Sequence, residues 1–294
     1  MIMGESAQSL TRRAIASLKA AGIDNAQLDA RLLMRHVSGL APEQILADPD
    51  RALSDEEEQR FFGLVDRRAA REPLSHILGR REFWSLDFEV SSAVLDPRPD
   101  SETLIEAVLA RVRASGPRDG EGLSILDLGM GSGCLLLTLL HELPGATGVG
   151  VDISPEALAI AKSNAERLGL ASRARFVESD WTAELSEKFD VIISNPPYIR
   201  HADIAGLAAE VRDHEPALAL DGGMDGLDAY RRIVPALGRL FDGDSGRLRF
   251  AAFEVGEGQA GDVSNLLLEN GFSDVKKHRD LAGIERCITG LYAF

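Results

Sequence analysis

The chain has 294 residues, of which 45% are apolar and 27% are charged, and its formal net charge at pH 7 is −15. The length fits one large domain or two unequal ones, and the apolar share is sufficient for a hydrophobic core. Apolar runs are too short to span a membrane, and the first residues lack the apolar stretch of a secretory signal. The sequence therefore predicts a cytoplasmic globular protein.

Charge and cysteine content exclude further classes of function. A net charge of −15 argues against binding along nucleic acid, which requires Lys and Arg to replace counterions. The two cysteines, Cys134 and Cys287, are too few for a zinc cluster or a disulfide framework, and we expect both to remain reduced. We expect no metal site.

Residues 1–84 are predicted to form a small helical domain. Apolar side chains recur at helical spacing over residues 28–37, and Gly39 is a typical helix end. Ser54 and Glu57 have the form of a capping box. The acidic residues that follow Ser54 would lie in the first turn of that helix, where the helix dipole stabilises negative charge.

A change of pattern marks the start of a second domain, predicted over residues 85–294. Residues 76–92 alternate with period two and predict a β-hairpin or two short strands, which would join the two domains. The prolines of the following L-D-P-R-P-D segment interrupt the chain, and a helix is predicted from about residue 100 to 113.

Strands and helices then alternate from residue 123 onward. This alternation predicts an α/β fold with a mainly parallel, doubly wound sheet. Ligands bind in such folds beyond the carboxyl ends of the strands, at the switch point. The predicted strands are 124–128, 147–153, 175–178, 189–194 and 249–255, with 275–278 and 287–291 as candidates to close the sheet.

A glycine-rich turn follows the first of these strands and opens a helix. It consists of Gly129, Met130, Gly131, Ser132 and Gly133. The alternate glycines let the backbone turn tightly and approach a ligand without obstruction by a Cβ atom. Their spacing differs from the G-x-G-x-x-G of dinucleotide-binding folds, and a purely structural turn is the alternative interpretation.

Acidic and aromatic residues follow the next two strands. Asp152 ends the second strand, where a carboxylate can accept hydrogen bonds from ribose hydroxyls. Asp180 and Trp181 follow the third, and they would supply an acceptor for an adenine amino group and an apolar wall. The alternative interpretations are that Asp152 caps a helix and that Trp181 is an ordinary core residue. The three strand ends together favour an adenosyl ligand.

The most specific motif, Asn195-Pro196-Pro197-Tyr198, follows the fourth strand. The two prolines restrict the backbone and remove two N–H donors, so the turn is stiff and rich in acceptors. The side-chain oxygen of Asn195 and the backbone C=O of Pro196 can hold both hydrogens of a planar NH₂ group. Tyr198 would offer a flat face for the attached π-system.

Together these motifs resemble an S-adenosylmethionine-dependent amino methyltransferase with a Rossmann-like fold. DNA adenine-N6 and protein glutamine methyltransferases share them, but the flanking segments are similar to the bacterial peptide chain release factor glutamine methyltransferase family. These segments run in order through most of the chain. They are P-L-S-H-I-L-G at 73–79, F-W at 83–84, P-R-P-D-S-E at 97–102, E-P at 215–216, D-G-G-M-D-G-L at 221–227, E-V-G at 254–256 and D-L-A-G at 280–283.

The chain departs from the family pattern at a few positions. The family more often has Ile where this chain has Asp96, and it has smaller residues in place of Met130 and Cys134. The Ile-to-Asp difference affects the local packing most. None of these differences touches residues 195–198, so the expected activity is unchanged.

The resemblance implies a function and a set of site residues. A monomer would methylate the glutamine of the Gly-Gly-Gln motif in class 1 release factors, leaving S-adenosylhomocysteine as the product. The helical domain would help to recognise the release factor. Asn195, Pro196, Pro197 and Tyr198 would be catalytic, and residues 129–133, Asp152, Asp180, Trp181 and Asn195 would bind the cofactor.

Three other functions remain open on the sequence. A glutamine methyltransferase that acts on a ribosomal protein would share all the catalytic features. A DNA adenine methyltransferase would need a basic recognition region, and neither residues 1–90 nor residues 91–294 carry a net positive charge. A non-catalytic sensor of an adenosyl ligand would have no use for the Asn195–Tyr198 motif.

Overall fold

A computed structural model describes residues 5–40, 42–48, 51–115, 118–242 and 248–293. The chain forms two compact units. The first contains the residues up to Gly79 together with Ala208–His214, and the second contains Arg80–Leu207 and the residues from Glu215 onward. The units therefore divide five residues before the predicted boundary between residues 84 and 85, and a short segment from the second half of the chain belongs with the first unit.

The first unit is helical, as predicted. Leu28 is 56% exposed and so does not contribute to the buried face of its helix, which is formed by Ala26, Ala30, Leu33, Met34 and Val37. The predicted capping box is present: Ser54 Oγ accepts from the Glu57 N–H, and Glu57 Oε2 accepts from the Ser54 N–H. The helices are α1 (Ala7–Ala20), α2 (Ala26–Ser38), α3 (Pro42–Ala47), α4 (Asp55–Ala69) and α5 (Leu74–Leu78).

The second unit begins with the predicted hairpin, formed by β1 (Arg80–Phe83) and β2 (Leu86–Glu89) in antiparallel pairing. Its two-residue turn, Trp84-Ser85, has positive φ at both positions, as a type I′ turn requires. The prediction that the hairpin begins at residue 76 was wrong, because residues 76–78 are the last three residues of α5. The left-handed Gly79 ends that helix.

The second unit contains the predicted doubly wound sheet, with seven strands in the order β5-β4-β3-β6-β7-β9-β8. The first five in this order pair in parallel, and β9 pairs antiparallel with both β7 and β8. The strands are β3 (Ser124–Leu128), β4 (Thr147–Asp152), β5 (Ala174–Glu178), β6 (Val191–Ser194), β7 (Phe250–Glu254), β8 (Phe272–Arg279) and β9 (Glu285–Tyr292).

Helices accompany these strands on both faces of the sheet, and each face has a buried apolar cluster. Strands β6 and β7 are buried along their whole length and β3 is buried after its first residue, which explains their largely apolar sequences. The helices of the second unit are α6 (Glu102–Ser115), α7 (Cys134–Glu142), α8 (Pro155–Arg167), α10 (Ala217–Leu220), α11 (Asp228–Ile233) and α12 (Ala260–Glu269); α9 (Ala209–Arg212) belongs to the first unit.

The order of the strands places the switch point at β3. The chain runs from β3 outward through β4 to β5, and then returns to β6 on the other side of β3. The connections after β3 and β6 therefore leave the sheet in opposite directions, and a crevice opens between them. Within the described part of the chain, no helix is both long and apolar enough to cross a membrane.

Candidate active site

The glycine-rich turn lies at the carboxyl end of β3. Gly129, Gly131 and Gly133 all have positive φ, between +55° and +78°, which explains why glycine occupies each position. The N–H groups of Gly129 and Met130 donate to the carbonyl oxygen of Val151 on the neighbouring strand, at 2.8 and 3.0 Å. A Cβ atom at Gly131 would meet no atom within 4 Å, so the backbone here faces open space.

Asp152 connects this turn to the next helix. Its Oδ2 accepts from the Gly131 N–H and its Oδ1 accepts from the Ser154 N–H, both at 2.9 Å. Ser154 Oγ in turn caps α8 by accepting from the Ala157 N–H, as predicted. A carboxylate has about four acceptor positions, so Asp152 can still accept hydrogen bonds from a ligand.

Asp180 and Trp181 lie beyond β5, where the sequence predicts the adenine end of the site. Trp181 has a positive φ of 54°, and its ring lies 3.1 Å from the place where a Cβ atom of Gly129 would be. The ring therefore packs over the glycine-rich turn. One carboxylate oxygen of Asp180 pairs with Arg232 Nη2 at 2.5 Å, a partner that the sequence analysis did not identify.

The Asn195–Tyr198 motif follows β6 directly. Ser194 Oγ donates to the carbonyl oxygen of Leu128 at 2.6 Å and so ties the end of β6 to the end of β3. Pro196 is buried and Asn195 is half-buried. Among the described residues, no intramolecular hydrogen bond engages the Asn195 side chain, which leaves its amide available to a ligand.

These strand ends surround one cavity of about 540 Å³, within the range of small-molecule sites. Of the predicted site residues, Gly133, Pro196 and Tyr198 do not line it. The lining includes nine predicted residues, which are Gly129, Met130, Gly131, Ser132, Asp152, Asp180, Trp181, Asn195 and Pro197. It also includes residues for which the sequence analysis proposed no role, among them Val94, Asp96, Arg98, Ser101, Asp228 and Arg232.

Tyr198 lies beside the cavity wall and faces a buried carboxyl group. Its hydroxyl oxygen is 3.5 Å from Glu254 Oε1, at the outer limit of a hydrogen bond, and burial raises its pKa. The side chain of Gln259 donates from Nε2 to the Tyr198 carbonyl oxygen at 2.9 Å. Tyr198 is thus held from two sides, at its hydroxyl and at its backbone.

Glu254 ends β7 and is fully buried. Burial raises its pKa to about 7, although the Ser101 hydroxyl and the Arg286 guanidinium act in the opposite direction. A second buried carboxyl group, Asp127 on β3, accepts from the Leu136 N–H, and burial raises its pKa to about 7 as well. The interior therefore keeps two carboxyl groups of the sheet, Asp127 on β3 and Glu254 on β7, partly protonated at neutral pH.

Two family models match the chain, the PrmC N-terminal domain over residues 9–79 and the methyltransferase small domain over residues 101–222. The release factor glutamine methyltransferase of Rhodospirillum rubrum is 48% identical over 271 residues, which are 92% of this chain and 80% of the relative. That of Bradyrhizobium diazoefficiens is 44% identical over 288 residues, 97% of this chain and 95% of the relative. This chain belongs to the release factor glutamine methyltransferase family.

The fold agrees with this membership. Among solved structures, the catalytic domain of hMettl16, crystallised with a MAT2A 3′UTR hairpin, matches with a TM-score of 0.57 at 18% identity, over 78% of this chain and 83% of that one. The match confirms the predicted methyltransferase fold. Every predicted site residue lies within the matched small domain, whereas Asp96 lies outside both matched regions.

The buried Glu254 leads to a prediction about stability. An unfolded glutamate ionises near pH 4.5 and the folded Glu254 near pH 7, so the folded state binds more protons between these values. The free energy of unfolding therefore falls as the pH rises through this window. We predict that Glu254→Gln makes this decrease smaller. Urea unfolding at about pH 5 and about pH 7, the two ends of the window, checks it.

Tryptophan fluorescence suits this measurement, because Trp84 and Trp181 both lie in the second unit. Glu269→Gln, at an exposed position at the end of α12, is the matched control and should keep the wild-type pH dependence. An unchanged pH dependence in Glu254→Gln would contradict the role assigned to this carboxyl group.

Proposed function

We propose that this chain transfers a methyl group from S-adenosylmethionine to the side-chain amide nitrogen, N5, of a glutamine in a release factor. The glutamine is that of the Gly-Gly-Gln motif in class 1 release factors. The observation that carries the proposal is the position of Asn195, whose unpaired side chain lines the same cavity as the glycine-rich turn and Asp152. Methyl donor and amide acceptor would thus share one enclosed space.

The cavity fits the proposed cofactor. The bare backbone at Gly131 can lie against the ligand without a side chain between them. Asp152 keeps free acceptor positions for the two ribose hydroxyls, and Trp181 provides an apolar wall. Asp180 has one carboxylate oxygen outside its ion pair with Arg232, available to an adenine amino group. When bound, S-adenosylmethionine supplies an electrophilic methyl group.

The residues after β6 would orient the acceptor. The amide nitrogen of glutamine is a weak nucleophile because its lone pair is delocalised into the carbonyl group. Asn195 Oδ1 and the Pro196 carbonyl oxygen would accept its two hydrogens and thereby increase the electron density on nitrogen. Positioning of this kind accounts for up to about 7–11 kcal/mol of a barrier, and aligned acceptors stabilise the charge that develops on nitrogen. The nitrogen loses its proton readily after methylation, so no strong base is required.

Tyr198 would support the acceptor site from outside the cavity lining. Its contact with Glu254 and the Gln259 bond to its carbonyl oxygen restrict the ring next to residues 195–197. The ring would thereby hold these residues in place around the substrate amide. Pro197 lines the cavity and limits the space open to the side chain that enters.

A transfer assay tests this function. Wild-type chain, S-adenosylmethionine and an intact class 1 release factor should yield one methyl group on the Gly-Gly-Gln glutamine, detected by mass spectrometry. Asn195→Ala should lower kcat by about 100-fold or more, since it removes an acceptor aligned with the reacting nitrogen. Its Kd for S-adenosylhomocysteine, measured by calorimetry, should change little.

Asn270→Ala is the matched control, because Asn270 caps the end of α12, where its side chain donates to the Leu266 carbonyl oxygen, and it does not line the cavity. It should retain wild-type turnover. Near-normal turnover by Asn195→Ala would overturn the assignment of Asn195. A wild-type chain that leaves the glutamine unmethylated would overturn the proposed function itself.

The first unit, together with residues up to 84, is proposed to recognise the release factor. The exposed face of α2 supports this, since it presents Leu28, Arg31 and Arg35 at helical spacing. A basic face on a chain with a net charge of −15 suits an acidic partner surface. We further propose that the chain acts as a monomer in the cytoplasm, without direct binding to nucleic acid.

Charge reversal on α2 tests this recognition. The double variant Arg31→Glu, Arg35→Glu should raise KM for the intact release factor about tenfold with little effect on kcat, because remote charges steer association. The double variant Arg12→Glu, Arg60→Glu changes the charge equally at other exposed positions of the first unit and serves as the control. Equal effects of the two double variants would contradict a role for this face.

A further inference from the structure

The wall of the cavity formed by residues 93–98 contains a carboxyl group to which the methyl transfer assigns no role. Asp96 lines the cavity, yet its side chain is only 7% exposed. Its Oδ1 is buried and has no hydrogen-bond partner in the described structure. An unpaired buried carboxyl oxygen is destabilising, and such groups need a specific explanation.

The charged neighbours of Asp96 do not satisfy this oxygen. Arg81 Nε lies 3.7 Å from the other oxygen, Oδ2, and donates instead to the Pro97 carbonyl oxygen at 3.2 Å. The guanidinium of Arg98 is engaged with Glu215, from Nη2 to Oε1 at 2.5 Å. Glu215 is itself a buried carboxyl group, so it cannot neutralise Asp96. The hydrogen-bond donor to Oδ1 would therefore have to come from a ligand in the cavity.

The order of groups along the cofactor indicates which donor this is. In the proposed function, the residues after β5 bind the adenine and Asp152 at the end of β4 binds the ribose. Asn195, after β6, marks the position of the methyl acceptor. The amino-acid part of the cofactor extends beyond the sulfur, away from the ribose. Residues 93–98 line the cavity, and the proposed function assigns them no contact with the adenosine or the acceptor. The donor-rich group at that end of the cofactor is an α-ammonium with three N–H bonds.

We propose that Asp96 binds the α-ammonium group of the cofactor's amino-acid part and selects ligands that carry it. The inference rests on the proposed function, since it requires the cofactor to occupy this cavity. An ammonium group would satisfy Oδ1 with a charge-assisted hydrogen bond, which is stronger than one between neutral groups. Asp96 would then be a specificity residue for the cofactor, separate from the residues that hold the adenosine.

Calorimetry on the full chain tests this without turnover. Asp96→Asn should raise the Kd of S-adenosylhomocysteine by about tenfold to hundredfold, the range for a hydrogen bond to a charged group. It should leave the Kd of 5′-methylthioadenosine, which lacks the amino-acid part, unchanged. Asp87→Asn is the matched control, because Asp87 is an exposed carboxylate on β2 outside the cavity. It should change neither Kd.

A second measurement uses only the wild-type chain, so it tests the role of Asp96 in binding the α-ammonium group even if Asp96→Asn does not fold. Wild-type chain should bind S-adenosylhomocysteine at least about tenfold more tightly than the analogue in which hydrogen replaces the α-amino group. Equal affinity for the two ligands would overturn the proposal, as would an equal change in both Kd values in Asp96→Asn. Wild-type chain that binds none of these ligands would overturn the proposed function as well.

Discussion

The parallel pairing of β3 with strands on both of its sides is the constraint on which the site depends. β3 pairs with β4 on one side and β6 on the other, so the carboxyl ends of all three strands lie at the same edge of the sheet. Because the connections leave β3 and β6 in opposite directions, the loops separate there and a cavity opens. The bond from Ser194 to the Leu128 carbonyl oxygen secures this junction directly.

Backbone hydrogen bonds, rather than side-chain packing alone, shape the ligand-facing surface. The glycine-rich turn is fixed through the Val151 carbonyl oxygen and the carboxylate of Asp152. One side chain thus organises the turn and also faces the cavity. Asp127 on β3 and Glu254 on β7 are buried carboxyl groups, and their raised pKa values reflect how strongly the interior disfavours their charge. Titratable groups with strongly shifted pKa values are characteristic of functional sites.

The architecture was largely predictable because the central strands are buried on both faces. A short, mostly apolar run such as 124–128 is typical of a buried strand, so its structure was predictable. The capping box at Ser54 is a local signal that does not depend on the rest of the chain. The hairpin start at residue 76 was wrong because α5 has only five residues, too few for the helical period to be distinguished from a strand pattern. Leu28 lies on the exposed side of α2, because residues two positions apart point to nearly opposite sides of a helix and its neighbours Ala26 and Ala30 are buried.

The site was predictable only where a residue directly follows a strand. Asn195 and Asp152 are in such positions, and both line the cavity. Asp96 and Arg232 come from segments that reach the cavity through tertiary packing, so no local pattern reports their position. The contact of Tyr198 with Glu254 joins residues more than fifty positions apart and depends on the pairing of β6 with β7. Sequence spacing carries no information about such a contact.

The choice of acceptor is the central claim, because the motif after β6 suits any planar NH₂ group. The most direct measurement is a competition in which one reaction contains labelled S-adenosylmethionine, a class 1 release factor, a ribosomal protein and duplex DNA. We predict that the label appears on the release factor alone, as a single methyl group on the Gly-Gly-Gln glutamine. Label found only on the ribosomal protein or the DNA would contradict the account.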